Sequence, residues 1–261
     1  MSILLSSVER GVATLTLNRP EIHNAFDDGL IRALTEALDR IEADAAARVV
    51  VLQANGKSFS AGADLNWMRR ISGYTEAENL RDAEALATMV RKLNFLPKPT
   101  IAAVQGSAFG GGVGLVAACD IAVAVGAASF ALSEVRLGLI PAVISPYVVT
   151  AIGERAARRY FLTAERFSAA EALRLGLVHE VVAEGELDRA VGRMVEVLLA
   201  GGPQAQAATK KLIRRVARGP LNAAVIADTA ERIAKVRAGD EAREGIAAFL
   251  EKRKPGWARQ D

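Results

Sequence analysis

The sequence predicts an α/β fold, a core of alternating strands and helices followed by a part made of helices alone. Three observations predict it. Short apolar runs such as RVVVLQ at 48–53 and TIAAV at 100–104 read as buried strands, and amphipathic segments of helical period lie between them. From about Ser145 onward the period is almost entirely that of helix.

Taken in order, residues 3–8 and 12–17 alternate apolar and polar positions and meet near Arg10-Gly11, the pattern of a hairpin. After Pro20 a helix places Leu30, Leu34, Leu38 and Ile41 on one face. The strand at 48–53 ends in a small-residue loop over 55–64. A longer helix covers about 75–96 and stops at Lys98-Pro99, and 100–104 is the next strand. Residues 105–119 read as a glycine-rich turn entering an alanine-rich helix, 121–125 as a strand and 130–132 as a further candidate strand. Helical segments follow near 145–161, 168–175, 186–200, 204–218, 221–238 and 240–251. No low-complexity linker or internal repeat interrupts them.

Composition narrows the function classes. With 261 residues, 51% hydrophobic and 24% charged, the chain has a globular balance and enough length to bury a core, as one large domain or two small ones. No apolar run reaches the roughly 18–20 residues of a membrane helix, so no membrane partner is expected. The start, Met1-Ser2-Ile3-Leu4-Leu5, carries no basic stretch ahead of an apolar one, and no cleaved signal is expected. The lone Cys119 excludes an internal disulfide and fits a reducing, cytoplasmic setting, with the residue itself read as a small core side chain. Net charge is only +3, and aromatics, at 5%, do not interleave with basic residues, so nucleic acid is not an expected partner. Lys210, Lys211, Arg214, Arg215 and Arg218 cluster, and read either as a solvated helix face or as groups meeting the phosphates of an anionic cofactor. His23 and His179 stand in no ligand pattern, and no metal is expected.

Chemistry concentrates in two loops, each after a buried strand, where open α/β folds favour ligands. In Ser58-Phe59-Ser60-Ala61-Gly62-Ala63-Asp64-Leu65, small residues admit another molecule to the backbone, and Asp64 is placed to cap the following helix; a plain tight turn fits the same residues. In Gly106-Ser107-Ala108-Phe109-Gly110-Gly111-Gly112-Val113-Gly114, amides at a helix start make an oxyanion or anion site, and glycines for close helix packing are the competing reading. No dinucleotide fingerprint, phosphate-loop lysine or nucleophile elbow runs through it.

Read together with FALSEVRLGLIP at 130–141, these loops resemble the crotonase (enoyl-CoA hydratase/isomerase) superfamily over nearly the whole chain. Asn18-Arg19-Pro20 with Asn24-Ala25, Ala118-Cys119-Asp120-Ile121-Ala122 and Phe249-Leu250-Glu251-Lys252-Arg253 add matches in the right order. The wording is most similar to bacterial methylglutaconyl-CoA hydratases of leucine breakdown, through Gly62–Met68, Ser133–Leu139 and Pro141-Ala142-Val143-Ile144-Ser145-Pro146.

The resemblance implies a spiral of ββα units over 1–195, with a helical C-terminal region, 196–261, that builds a homotrimer or a dimer of trimers. It implies an acyl-CoA thioester substrate, with coenzyme A as part of that substrate and no separate cofactor. Ala63 and Gly111 would donate the two backbone N–H groups of an oxyanion hole, with Glu134 as the acid–base group. Coenzyme A would lie across Ala61, Gly62, Asp64 and Leu65 and beside Gly110, with the adenine near the segment holding His23. Lys252, often from a neighbouring subunit, would meet the phosphates. Arg69, Arg70 and Arg136 are candidates for the distal carboxylate of a diacid substrate. The family's second glutamate falls on Gly114. Hydration by one glutamate, double-bond isomerisation by one proton shuttle and non-catalytic acyl-CoA binding all fit that departure.

Overall fold

A computed structural model of the protein describes residues 2–217 and 219–258, so Met1, Arg218 of the basic cluster and residues 259–261 lie outside the described part. The chain opens with β1 (Leu4–Glu9) and β2 (Val12–Leu17), the expected hairpin, paired antiparallel with Leu4 opposite Leu17. Helix α1 (Asp28–Ala43) buries Leu30, Leu34, Leu38 and Ile41 and starts at Asp27, whose side chain accepts from Leu30 N. Strands β3 (Val49–Ala54) and β4 (Ser58–Ser60) lead to α2 (Leu65–Ile71) and α3 (Glu76–Phe95). A capping box of Thr75 with Glu78 opens α3. Next come β5 (Thr100–Val104), β6 (Ser107–Phe109) and α4 (Gly111–Ala118), then β7 (Ile121–Val125), β8 (Ser129–Ala131) and α5 (Ser145–Thr163).

These strands form two sheets. The large one runs β1-β2-β3-β5-β7 and is completed by β10 (Glu180–Val182); all its pairs except the first are parallel. The small one runs β4-β6-β8 in parallel and ends on β9 (Phe167–Ser168). After the opening hairpin, whose two strands both lie in the large sheet, the pairs β3/β4, β5/β6 and β7/β8 each send the first strand to the large sheet and the second to the small one before a helix returns the chain. That is the ββα spiral the resemblance implies. β5 is buried at every position and β3 and β7 nearly so, which is why they read as unbroken apolar runs.

The C-terminal part continues through α6 (Ala169–Leu175), α7 (Leu187–Ala200), α8 (Pro203–Val216), α9 (Ala223–Arg237) and α10 (Asp240–Leu250). The division between residues 195 and 196 falls inside α7, whose Leu187, Ala190, Val191 and Leu199 are buried.

Three local expectations are corrected. β4 and β6 stand where a loop and a turn were expected, and β9 takes up the start of the helix expected at 168–175, while β10 falls in the gap between that helix and the next. Strands of two or three residues are too short to show a period. Lys210 is not on a solvated face: it is 9% exposed and ion-paired with Asp120 at 2.5 Å, and its ammonium also donates to Lys98 O at 2.9 Å. Cys119 is a buried core side chain, its thiol pushed up to about 12 chiefly by burial.

Candidate active site

The three groups expected to act together emerge just past the C-terminal ends of three adjacent parallel strands. Ala63 follows β4, Gly111 follows β6 and Glu134 follows β8, and β4, β6 and β8 are consecutive in the small sheet. Pairing of Ser60 with Ala108 and of Phe109 with Ala131 sets the three strand ends side by side. The bond from Gly110 N to Ala131 O, 2.9 Å, extends that pairing to the site itself.

Backbone hydrogen bonds aim the first amide. Phe26 N donates to Gly62 O at 2.6 Å and Asp64 N donates to Phe26 O at 2.8 Å, a parallel bridge centred on Ala63. The residue between two such bonds turns its own N–H the other way. Across from Phe26, past β4, lies the continuation of β6. There the contact is close: a Cβ on Gly62 would meet Phe109 O at 3.1 Å and Gly110 Cα at 3.9 Å, and Gly62 has φ +89°. Only glycine fits.

The second amide opens α4. Gly111 is its first residue, so its N–H has no acceptor within the helix, and the helix dipole adds positive potential there. Gly110 precedes it with φ 49° and ψ −117°, a backbone that side chains disfavour. Phe26 packs beneath, within 3.3 Å of where a Cβ on Gly111 would be.

Glu134 reaches back over this corner. A Cβ on Gly110 would lie 3.2 Å from Glu134 Oε1, so the carboxylate rests against the turn that carries Gly111. Its Oε2 is buried and has no hydrogen-bond partner. Burial pushes the Glu134 carboxyl above its ordinary value, opposed in part by its own backbone N–H. A buried carboxylate oxygen without a protein partner, with its pKa raised by burial, is chemically suited to accept and return a proton.

Further along α4, at the position of the family's second glutamate, space is taken. A Cβ on Gly114 would lie 2.2 Å from Ile144 Cγ2 and 2.8 Å from Ile144 Cβ. Ile144, 3% exposed, fills the volume into which a side chain at 114 would project. The contact joins Gly114 to the stretch at 142–144, residues too distant in sequence for any spacing rule to pair.

Other expected residues divide. Asp64 caps α2 through its carboxylate, which accepts from Asn66 N and Trp67 N at 2.8 and 3.0 Å. Ala61 is tied to His23 by a bond from Ala61 N to His23 O of 2.9 Å, and His23 Nδ1 lies 3.1 Å from Ser58 Oγ, so His23 borders the segment 58–65. Leu65 is exposed at the start of α2. Lys252 is not brought to this corner: it is exposed in the turn after α10, near the segment in which Trp257 O accepts from Arg48 just ahead of β3, at the opposite end of the strands. Arg70 pairs with Asp28 at 2.5 Å and Arg69 donates to Asn66 Oδ1 at 3.0 Å. Arg136, two residues beyond Glu134, is exposed. His179 is structural, its Nδ1 accepting from Ala122 N at 3.1 Å.

Among the described residues no cluster of His, Cys, Asp and Glu suited to a metal occurs, and no helix is long and apolar enough to cross a membrane.

Comparison with known proteins identifies the family. A family model described as Enoyl-CoA hydratase/isomerase matches residues 7–260. The crystal structure of an enoyl-CoA hydratase from Shewanella pealeana is 46% identical, superposes with a TM-score of 0.96 and shares 98% of this chain and 96% of its own. The short-chain-enoyl-CoA hydratase of Clostridium acetobutylicum is 32% identical over 94% of this chain and 94% of its own. A trans-2-decenoyl-acyl-carrier-protein isomerase of Streptococcus mutans is 30% identical over 97% of this chain and 96% of its own.

Proposed function

The chain belongs to the enoyl-CoA hydratase/isomerase family, and we propose that within it the protein adds water across the Cα=Cβ bond of an enoyl-CoA thioester. The observation that carries the proposal is the half-buried Glu134 carboxylate, whose Oε2 is buried and unpartnered, set against the turn that opens α4. Ala63 and Gly111 donate their N–H groups to the thioester oxygen and stabilise it as negative charge gathers there; one such donor is typically worth about 10²–10³ in rate. Glu134 removes a proton from water as the oxygen bonds to Cβ. The displaced π electrons pass to Cα and the thioester oxygen, and the proton held by Glu134 then closes the Cα–H bond. A raised carboxyl pKa suits a group that must first accept and then return that proton.

Within that reaction we assign methylglutaconyl-CoA, a branched diacid thioester of leucine degradation, as the substrate. Ile144 supplies an apolar wall for its methyl branch, and Arg136 is the cation for its distal carboxylate, since Arg69 and Arg70 already have partners. Coenzyme A lies along Ala61, Gly62, Asp64, Leu65 and Gly110, with His23 near the adenine and Lys252 of a neighbouring subunit at the phosphates. Exposed apolar side chains on the C-terminal part, among them Leu221, Ile226, Ile233, Ile246, Phe249 and Leu250, support assembly into a trimer or a dimer of trimers. The setting is cytoplasmic, with no nucleic-acid or membrane partner.

A second reading rests on the Gly114–Ile144 contact. With the space at position 114 filled by Ile144 and so closed to another carboxylate, one shuttle moves a proton between two carbons and shifts a double bond, the reaction named for the Streptococcus mutans relative. Product analysis in deuterated water separates the two, using methylglutaconyl-CoA, crotonyl-CoA and a 3-enoyl-CoA with wild type and Glu134→Gln. A deuterated hydroxyacyl product that disappears in the variant is expected. A shifted double bond without added water selects the isomerase, and no turnover of any thioester leaves only an acyl-CoA binder.

A further inference from the structure

Two helix-capping aspartates share one guanidinium beside the first oxyanion donor. Asp27 Oδ1 accepts from Leu30 N at 2.8 Å at the start of α1, and Asp64 Oδ1 accepts from the first-turn amides of α2. The other oxygen of each carboxylate faces Arg19. Its Nη1 donates to Asp27 Oδ2 at 2.6 Å, and its Nη2 lies 3.6 Å from Asp64 Oδ2. Arg19 is itself anchored, its backbone N–H donating to Asn24 Oδ1 at 2.8 Å and Nη1 reaching Ala25 O at 3.4 Å. All three side chains are largely buried, at 18%, 21% and 9% exposure for Arg19, Asp27 and Asp64.

Between these two caps runs the Phe26 pairing with Gly62 and Asp64 that turns the Ala63 N–H toward Gly110–Gly111. We infer that Arg19 is a positioning residue for the oxyanion hole, acting on Ala63 through Asp64 and Asp27; the inference rests on Ala63 N–H being the thioester donor. Two effects follow from the geometry. The guanidinium holds the residue after Ala63 against the residue after Phe26, which fixes the direction of the amide between. It also offsets a carboxylate that, adjacent in sequence to the donor and largely out of water, would otherwise oppose negative charge arriving on the substrate oxygen. Lysine cannot span both carboxylates as a guanidinium does.

The test uses butyryl-CoA labelled with carbon-13 at its carbonyl, saturated and so inert to hydration, with infrared difference spectra of the bound thioester stretch alongside steady-state hydration kinetics. In wild type the stretch moves to lower frequency on binding. In Arg19→Gln more than half of that movement is lost and kcat falls about 10–100-fold, a fraction of what a lost donor costs, while butyryl-CoA affinity stays within about threefold, as expected for a loss confined to the transition state. Arg19→Lys gives an intermediate shift, and it carries the test if the glutamine variant does not fold. A full wild-type shift in a folded Arg19→Gln or in Arg19→Lys overturns the positioning role and leaves the oxyanion assignment standing. No shift in wild type overturns that assignment, and the inference with it.

Discussion

Gly114 and Ile144 exclude each other's growth: a methyl group on the glycine would sit 2.2 Å from the isoleucine Cγ2. The pair joins α4, which opens on Gly111, to the turn that starts α5. Gly114→Ala is expected to cost about 1–3 kcal/mol by overpacking, and Ile144→Ala about 2–5 kcal/mol through the cavity it leaves. The double variant should cost less than the sum by at least about 1 kcal/mol, because each change relieves the other. Urea unfolding of the three variants checks the cycle, and strict additivity would remove the contact from the account.

The raised carboxyl of Glu134 sets the acid limb of activity. A general base must be ionised, so kcat/KM falls as pH drops through the carboxyl pKa in the free enzyme. Burial moves that pKa up, which places the fall at higher pH than the ordinary glutamate value of about 4.3. A pH–rate profile with a chromogenic enoyl-CoA measures it; an acid limb at or below the ordinary value would contradict the buried geometry.

The same burial has a stability cost with a defined sign. A carboxyl whose pKa is higher folded than unfolded binds extra protons in the native state, so its contribution is present at low pH and lost as pH rises through the folded pKa. Glu134→Gln removes the charge that is penalised. Its melting temperature is therefore expected to exceed wild type by about 1–3 °C at pH 8 and to match it near pH 4, as scanning calorimetry at both pH values would show.

Lys210 gives a contrast between stability and catalysis. Its ammonium joins α8 to Asp120 and Lys98 O, while Asp120 Oδ2 also accepts from Thr100 N and Oγ1 at 2.8 and 2.9 Å. Breaking a buried pair by removing one partner leaves a charge uncompensated, and Lys210→Met is expected to destabilise the chain by about 3–5 kcal/mol. None of these groups touches the site, so kcat of the folded variant should stay within about twofold of wild type. Denaturant melts and initial rates on one preparation test both halves.

Legibility in the sequence followed the range of the interactions. Leu30, Leu34, Leu38 and Ile41 announced α1 because a helix face repeats locally, and Asp64 announced the start of α2 because a cap acts over two or three residues. Strands β4, β6, β9 and β10 left no period to read. The meeting of Ala63, Gly111 and Glu134 was accessible only through resemblance, because it depends on β4, β6 and β8 lying side by side, which no local pattern encodes. Burial of Lys210 was hidden for the same reason, since its partner Asp120 lies on another part of the chain.

The central claim is that a backbone donor pair and the Glu134 carboxylate together add water to an enoyl thioester. Its most direct test is single-turnover hydration of methylglutaconyl-CoA by wild type and Glu134→Gln, with butyryl-CoA affinity measured on both. The account predicts a loss of about 10²–10⁴ in the chemical step with affinity unchanged within about threefold. Hydration by the variant within tenfold of wild type would contradict it.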